Sequence, residues 1–137
     1  MALLQNTSPS RRGNSRGPAF GYPIAPGETI YSGGMICVNA AGQAQRLQTA
    51  GSLAFIGIAQ HGYNNSASAA VGPTVVGAMD EYMFPVPAAT TANINAPLYA
   101  TDDNTLTLVK PTTGFEGVVG YLIGIDNGNT YVGFSGH

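Results

Sequence analysis

The sequence has little charge, no tryptophan and a single cysteine. Charged residues make up 9% of the 137 residues, whereas an ordinary soluble domain has about 25%. Such a surface is easier to understand if partners cover much of it, because charged faces keep free monomers soluble. No run approaches the roughly 18 apolar residues of a transmembrane helix, and the N-terminus lacks the apolar centre of a signal peptide. We therefore expect a chain made in a reducing cytosol, with protein partners and no membrane.

Residue types that carry chemistry are equally scarce. Cys37 lies in an apolar run and is interpreted as a small buried hydrophobic residue. No local signature supports a nucleophile–base pair of Cys37 with His61, and one cysteine with two histidines cannot supply the four ligands of a structural zinc site. Oxygen atoms of Asp102, Asp103 and Asn104 could bind calcium, but their spacing is not that of an EF-hand. With no glycine-rich phosphate motif either, the sequence predicts no enzyme and no cofactor.

Charge is distributed unevenly along the chain. From residue 23 onward there are two basic and seven acidic residues, a net charge of −5. All charged residues of the preceding segment are basic. Residues 1–23 show no hydrophobic period and predict an extended arm. The arm is either a solvated tail or a segment that lies on an acidic neighbouring surface. In the second case its contacts would be Arg11, Arg12, Arg16, Phe20 and Tyr22. Three arginines on an otherwise acidic chain do not predict nucleic-acid binding.

The remaining residues, 24–137, predict one all-β domain. Chain length suits a single domain, the 19 glycines and 9 prolines favour turns over helices, and only a weak helical turn is expected, near Thr90–Asn95. Short runs of β-branched and aromatic residues predict ten strands, at Thr29–Tyr31, Met35–Asn39, Ala44–Leu47, Phe55–His61, Pro73–Met79, Glu81–Val86, Leu98–Thr101, Thr105–Val109, Val118–Ile125 and Thr130–Phe134.

Turn signals and a repeated pattern refine this prediction. Hairpins are expected at Asp102–Asn104 and at Asn127-Gly128, a dipeptide that tolerates positive φ. The pattern of strand, turn and strand in residues 35–47 recurs in residues 96–108, with Ile36 aligned to Leu98. Two related hairpin units would then pack as a small barrel or sandwich of antiparallel strands. Glycines inside the apolar strands are expected at bends or bulges, namely Gly57, Gly120 and Gly124.

The order of these features resembles a known family, the bacteriophage capsid cement or head decoration proteins of the small β-barrel type. The residues that carry the resemblance are the segments Gly27–Val38, Ala41–Ala44, Phe55–Ala59, Pro97–Ala100, Asp103–Thr107 and Gly117–Leu122. Each segment consists of common β and turn residues, so the specificity lies in their order and spacing between Ile24 and Phe134. The arm before Ile24 is longer than the family pattern requires, and the loop His61–Asn65 has no counterpart in it.

The resemblance implies a structural virion protein. Family members bind the exterior of an expanded phage head, usually as trimers, and clamp neighbouring major capsid protein subunits together. For this chain it implies the major capsid protein and further copies of the chain as partners, without direct contact to nucleic acid.

Two other classes of function are open. Another all-β virion component, such as a tail-tube, tail-fibre or head-completion protein, would share the low charge. A carbohydrate- or ligand-binding β-domain would need a concave site with exposed aromatic side chains.

Overall fold

The computed structural model describes residues 2–7, 19–48 and 50–134. Within these ranges the protein is all-β, as predicted, with one turn of 3-10 helix, Thr91–Asn93, inside the predicted helical turn. The strands are β1 (Ala19–Pro23), β2 (Thr29–Ile30), β3 (Met35–Val38), β4 (Ala44–Arg46), β5 (Ala54–Ala59), β6 (Tyr63–Asn64), β7 (Thr74–Ala78), β8 (Glu81–Met83), β9 (Pro97–Ala100), β10 (Leu106–Thr107), β11 (Gly120–Asp126) and β12 (Asn129–Phe134).

The first sheet has five antiparallel strands in the order β1-β7-β5-β3-β4. An isolated parallel bridge between Ile24 and Ala44 brings the chain beyond β1 to β4, at the opposite edge. The Ala25 N–H also donates to the Ala44 carbonyl oxygen at 2.9 Å. The sheet therefore curls around one of its faces, but a single bridge does not make it a closed barrel.

The second sheet has five antiparallel strands in the order β10-β9-β11-β12-β8. Both predicted hairpins are confirmed. Asn127 and Gly128 join β11 to β12 with φ values of 52° and 79°, as a tight hairpin turn requires. The turn Asp102–Asn104 lies between the paired strands β9 and β10.

The two sheets repeat one strand order. Listed from the hairpin, the first is β4-β3-β5-β7-β1 and the second is β10-β9-β11-β12-β8, which agrees with the predicted repeat. The hairpin registers agree with the predicted alignment of Ile36 with Leu98, because Val38 pairs with Ala44 in the first hairpin and Ala100 pairs with Leu106 in the second, so both strands keep the predicted offset. The aligned residues nevertheless face different clusters. Leu98 lies in the core between the sheets, whereas Ile36 lies on the other face of its sheet.

Two apolar clusters hold the fold together. The larger core lies between the sheets, where the Phe134 ring contacts Phe55 of the first sheet and Tyr82 and Phe84 of the second. The smaller core lies on the far face of the first sheet, with the side chains of Ile24, Ile30, Ile36, Ala44, Ile56, Ala59 and Val75. The fold is therefore a sandwich of two sheets, and the first sheet packs against an apolar cluster on each of its faces.

A small cap that the sequence did not predict lies beside the smaller core. Strand β6 pairs with β2, which contributes the buried Ile30. The buried Asn65 side chain donates to the carbonyl oxygens of Ala25 and Ala70 at 3.0 and 2.9 Å. The loop His61–Asn65 thus forms part of this two-stranded sheet.

Two of the three strand glycines predicted at bends or bulges lie at such positions, and the third does not. Pairing shifts register beside Gly57 in β5 and beside Gly124 in β11, so both lie at bulges. Gly120 lies at a close approach instead, because a Cβ there would be 2.5 Å from the Gly133 carbonyl oxygen. A side chain at Gly120 would thus push β11 away from β12.

All ten predicted strands have counterparts, with shifted ends. Strand β8 is shorter than the predicted Glu81–Val86, because Pro85 lacks an N–H and the Val86 N–H donates to the Thr130 hydroxyl oxygen at 3.1 Å. Strands β1 and β6 are additional. Strand β1 belongs to the predicted arm, so the division after residue 23 separates this strand from the rest of its own sheet.

Candidate functional site

The residues predicted to form a binding arm are only partly described. Arg11, Arg12 and Arg16 lie outside the described residues. Phe20 on β1 is 59% exposed, and Tyr22 is half-buried because it packs against the smaller core of its own body. Contact of these side chains with a neighbouring subunit stays a prediction.

The interpretation of Cys37 as a buried core residue is confirmed. Its side chain is fully buried in the larger core, and burial raises the pKa of the thiol to about 12, against a smaller opposing effect of a hydrogen bond with Ser52. The thiol is therefore protonated at neutral pH and is no nucleophile. His61 is exposed and its Nε2 lies 3.1 Å from the Thr74 carbonyl oxygen.

The acidic pair in the β9–β10 turn has two separate structural roles. Asp102 accepts hydrogen bonds from the Asn104 N–H at 2.8 Å and the Thr105 hydroxyl at 3.1 Å. Asp103 is only 2% exposed, and its Oδ2 pairs with Arg46 Nε at 3.0 Å. In the described ranges no three His, Cys, Asp or Glu side chains are grouped to hold a metal ion. A helix long and apolar enough to cross a bilayer is likewise not found in the part of the chain that the structure describes.

The outer face of the second sheet is a candidate binding surface, which we call the tyrosine face. Alternate residues of its strands point away from the larger core, and Ile123 packs within 3.3 Å of the Cβ position of Gly133 on this side. The tyrosine face consists of Glu81, Met83, Pro97, Tyr99, Thr107, Tyr121, Ile123, Gly124, Tyr131 and Gly133. Glu81 is the one charged residue in this set.

The tyrosine face differs from the corresponding face of the first sheet. There the outward side chains form the smaller core, whereas in the described chain no apolar cluster lies on the tyrosine face. Tyr121 and Ile123 are each 38% exposed. An antiparallel sheet normally turns polar side chains toward water on its open face.

The side-chain composition of the tyrosine face favours contact with a protein. Tyrosine and methionine are enriched in protein interfaces, whereas charged residues are depleted from their centres. Tyr121 lies opposite Gly133 and Tyr131 opposite Gly124, so each ring has a neighbour without a side chain across the strand pair. The sequence signal was ambiguous, because these strands are apolar at both odd and even positions.

A second candidate surface is the groove that holds residues 2–7, which we call the N-terminal groove. The Leu3 N–H donates to Asp103 Oδ1 at 2.9 Å, and the Leu3 carbonyl oxygen accepts from the Arg46 guanidinium at 3.0 Å. Both members of the ion pair therefore bind the main chain of one residue. The Leu3 side chain is 5% exposed, and the guanidinium carbon of Arg46 lies 5.4 Å from the centre of the Tyr31 ring.

The far end of the N-terminal groove is formed by Ser32 and Gly33. The Thr7 N–H donates to the Ser32 carbonyl oxygen at 2.7 Å, the Ser32 hydroxyl donates to the Thr7 carbonyl oxygen at 3.1 Å, and the Ser32 N–H donates to Asn6 Oδ1 at 2.8 Å. Gly33 has φ +84°, and a Cβ there would meet Thr7 Oγ1. The groove is thus built closely around this segment.

A shallow pocket of about 230 Å³ adjoins this end of the groove, lined by Asn6, Thr29, Ile30, Tyr31, Gly62, Tyr63 and Asn64. Its volume is below the range of about 300–1,000 Å³ that is usual for small-molecule sites. Tyr63 is 44% exposed, so the pocket offers one accessible aromatic ring beside two amides.

Comparison with known proteins gives no match to any protein-family model, curated protein or solved structure.

Proposed function

We propose that this chain is a structural virion protein that binds the outer surface of a bacteriophage head and stabilises contacts between major capsid protein subunits, as a trimer. The observation that carries the proposal is the tyrosine face, a sheet face with three tyrosines and one charge on which no apolar cluster of the described residues lies. The small number of charged residues elsewhere on the chain is consistent with a protein whose surface is largely covered by partners in the assembled particle.

Binding of many copies to a repeating shell does not require high affinity at each site. Contacts that are individually weak add up when neighbouring copies and shell subunits are held together. A surface of partly exposed tyrosines supplies such contacts at low entropic cost, because each ring has few rotatable bonds.

Exchange of Tyr121 and Ile123 for threonine tests the proposal, since threonine retains strand propensity. We expect the double variant Tyr121→Thr/Ile123→Thr to fold and to bind expanded heads at least about tenfold more weakly, as for central interface residues. The matched control is Leu53→Thr/Val109→Thr, because these apolar side chains are 64% and 74% exposed and lie outside the tyrosine face. Occupancy is measured by quantitative gel of sedimented particles, with circular dichroism to verify folding.

Three outcomes would contradict the proposal. Equal occupancy of the two double variants would remove the tyrosine face from binding. Absence of a 14.0 kDa band from purified particles would remove the virion role. A band at a handful of copies per particle, far below the major capsid protein, would favour a tail or head-completion protein.

The alternative of a carbohydrate-binding domain has one supporting observation, the pocket beside Tyr63. A glycan array probed with the wild-type chain and with Tyr63→Ala tests it. Binding that is lost in the variant would favour this function over the structural one.

A further inference from the structure

We propose that the N-terminal groove accepts residues 2–7 of a second copy of the chain, so that neighbouring copies are joined by exchanged N-termini. The proposal does not depend on the identity of the shell, because it concerns contacts between copies of this chain alone.

The contacts of the segment are sufficient to define its position by themselves. Leu3 supplies a buried side chain, and its main chain is bound by Asp103 and Arg46. Thr7 forms two further main-chain contacts with Ser32. Every one of these contacts can form in the same way whether the segment comes from the same copy or from a neighbour, which is the condition for exchange of an element between protomers.

The connection between the segment and the body is long enough for exchange. Residues 8–18 contain only serine, proline, arginine, glycine and asparagine, so the connection has no large apolar side chain. Fully extended, it spans up to about 40 Å, compared with a radius of gyration of about 13 Å for a domain of this size. The segment can thus reach the corresponding groove on an adjacent copy.

Exposed apolar side chains lie at both ends of this connection. Leu4 is 80% exposed beside the buried Leu3, and Phe20 is 59% exposed on β1. Large exposed apolar groups at these two points suit a segment whose surroundings include a second copy.

Local concentration decides between the two arrangements. A short tether holds its own segment at an effective concentration in the millimolar range. Dilute protein therefore binds its own segment, whereas copies crowded at about 1 mM or on a shell compete for one another's grooves.

Two single-cysteine variants, mixed in equal amounts, detect exchange directly. One carries Thr7→Cys and the other Ser32→Cys, so a disulfide formed between these two positions under a mild oxidant such as diamide always joins two copies. At about 1 mM we expect at least about tenfold more mixed disulfide dimer than from Thr7→Cys with Leu53→Cys, whose exposed position reports random collision. The buried Cys37 thiol does not interfere, because it has no access to oxidant.

Leu3 provides the specificity control in the full-length chain. Adding Leu3→Ala to the Thr7→Cys copy should reduce the mixed dimer at least about tenfold, because it removes most of a buried leucine side chain. A peptide of residues 1–7 in excess should compete with the dimer, and the same peptide with Leu3→Ala should not.

The proposal is overturned if mixed dimers do not exceed the collision control at about 1 mM while Thr7→Cys/Ser32→Cys within one chain oxidises completely. That result would show a segment that docks only on its own body. Capsid binding can fail or succeed independently, since this experiment uses the isolated protein.

Discussion

Asp102 and Asp103 are adjacent in the sequence and have different roles. Asp102 binds groups two and three residues away, at Asn104 and Thr105, which is the usual local behaviour of an aspartate in a turn. Asp103 binds Arg46, 57 positions away, and the main chain of Leu3, 100 positions away. In the sequence, both aspartates have the pattern of turn residues. The role of Asp103 could not be predicted, because its partners become neighbours only when the two sheets pack together.

Cys37 gives a pH-dependent prediction. Burial raises the pKa of the folded-state thiol from 9.0 to about 12, so the folded protein retains a proton that the unfolded chain loses in this interval. This contribution to stability is complete below pH 9 and is lost as the pH rises toward 12. We expect the free energy of unfolding to fall above pH 9 by up to about 1.4 kcal/mol per pH unit because of Cys37.

Urea denaturation of the wild type and of Cys37→Ala between pH 8 and pH 10.5 measures this contribution. Tyrosine and lysine titrations affect both proteins equally, so the difference between the two curves isolates the thiol. Parallel curves across this range would contradict the prediction.

At the level of elements, β1 and β6 were missed for different reasons. Strand β1 reads Ala-Phe-Gly-Tyr-Pro, and its glycine and proline are poor strand residues except at an edge, which is where it lies beside β7. Strand β6 has only two residues, both exposed. Neither strand has a pattern of its own, since each exists because a partner strand is in place.

Gly57 gives a prediction at the scale of the strand. Its φ is +125°, and a Cβ would lie 2.6 Å from the backbone of Ala78, so Gly57→Ala strains the backbone and pushes β5 away from β7. We expect a loss of about 3 kcal/mol or more in the free energy of unfolding, as for other strained or overpacked positions.

The matched control is Gly124→Ala, at the bulge in β11, where a Cβ meets nothing within 4 Å. That substitution should change stability by about 1 kcal/mol or less. Thermal denaturation of both variants provides the comparison. If Gly57→Ala does not fold and Gly124→Ala does, that outcome also agrees with the prediction. Similar melting temperatures for the two would show that the close approach to Ala78 can relax.

At the level of the whole molecule, each sheet adds a fifth strand from the chain that precedes its hairpin. Strand β1 lies beside β7 and β8 lies beside β12. The adjoining sequences Tyr22-Pro23-Ile24 and Phe84-Pro85-Val86 are also similar. The repeat is thus longer than the sequence pattern indicated. The two units differ in that, among residues 2–7, 19–48 and 50–134, an apolar cluster lies on the outer face of the first sheet and none lies on the tyrosine face.

Phe134 couples the two units, because its ring contacts Phe55 across the sandwich and Phe84, the residue after β8, beside its own sheet. We expect Phe134→Ala to lower the free energy of unfolding by about 3–5 kcal/mol while unfolding stays a single transition. Phe20→Ala serves as the control, since Phe20 is 59% exposed, and should change stability by less than about 1 kcal/mol. Calorimetry of both variants gives the measurement, and separate transitions for the two halves in the wild type would contradict the coupling.

Local patterns in the sequence were enough to predict the class of fold, the ten main strands, both hairpins and the burial of Cys37. These features follow from local patterns, namely period-two alternation, turn residues and short apolar runs. Packing of the sheets was needed to show which apolar face of each strand lies inside, because strands such as β11 carry large apolar residues on both faces. The same packing brings Arg46 to Asp103 and places the Leu3 main chain against both of them. Those contacts join residues far apart in the chain, so they form only when the sheets pack together. Local sequence patterns therefore do not predict them.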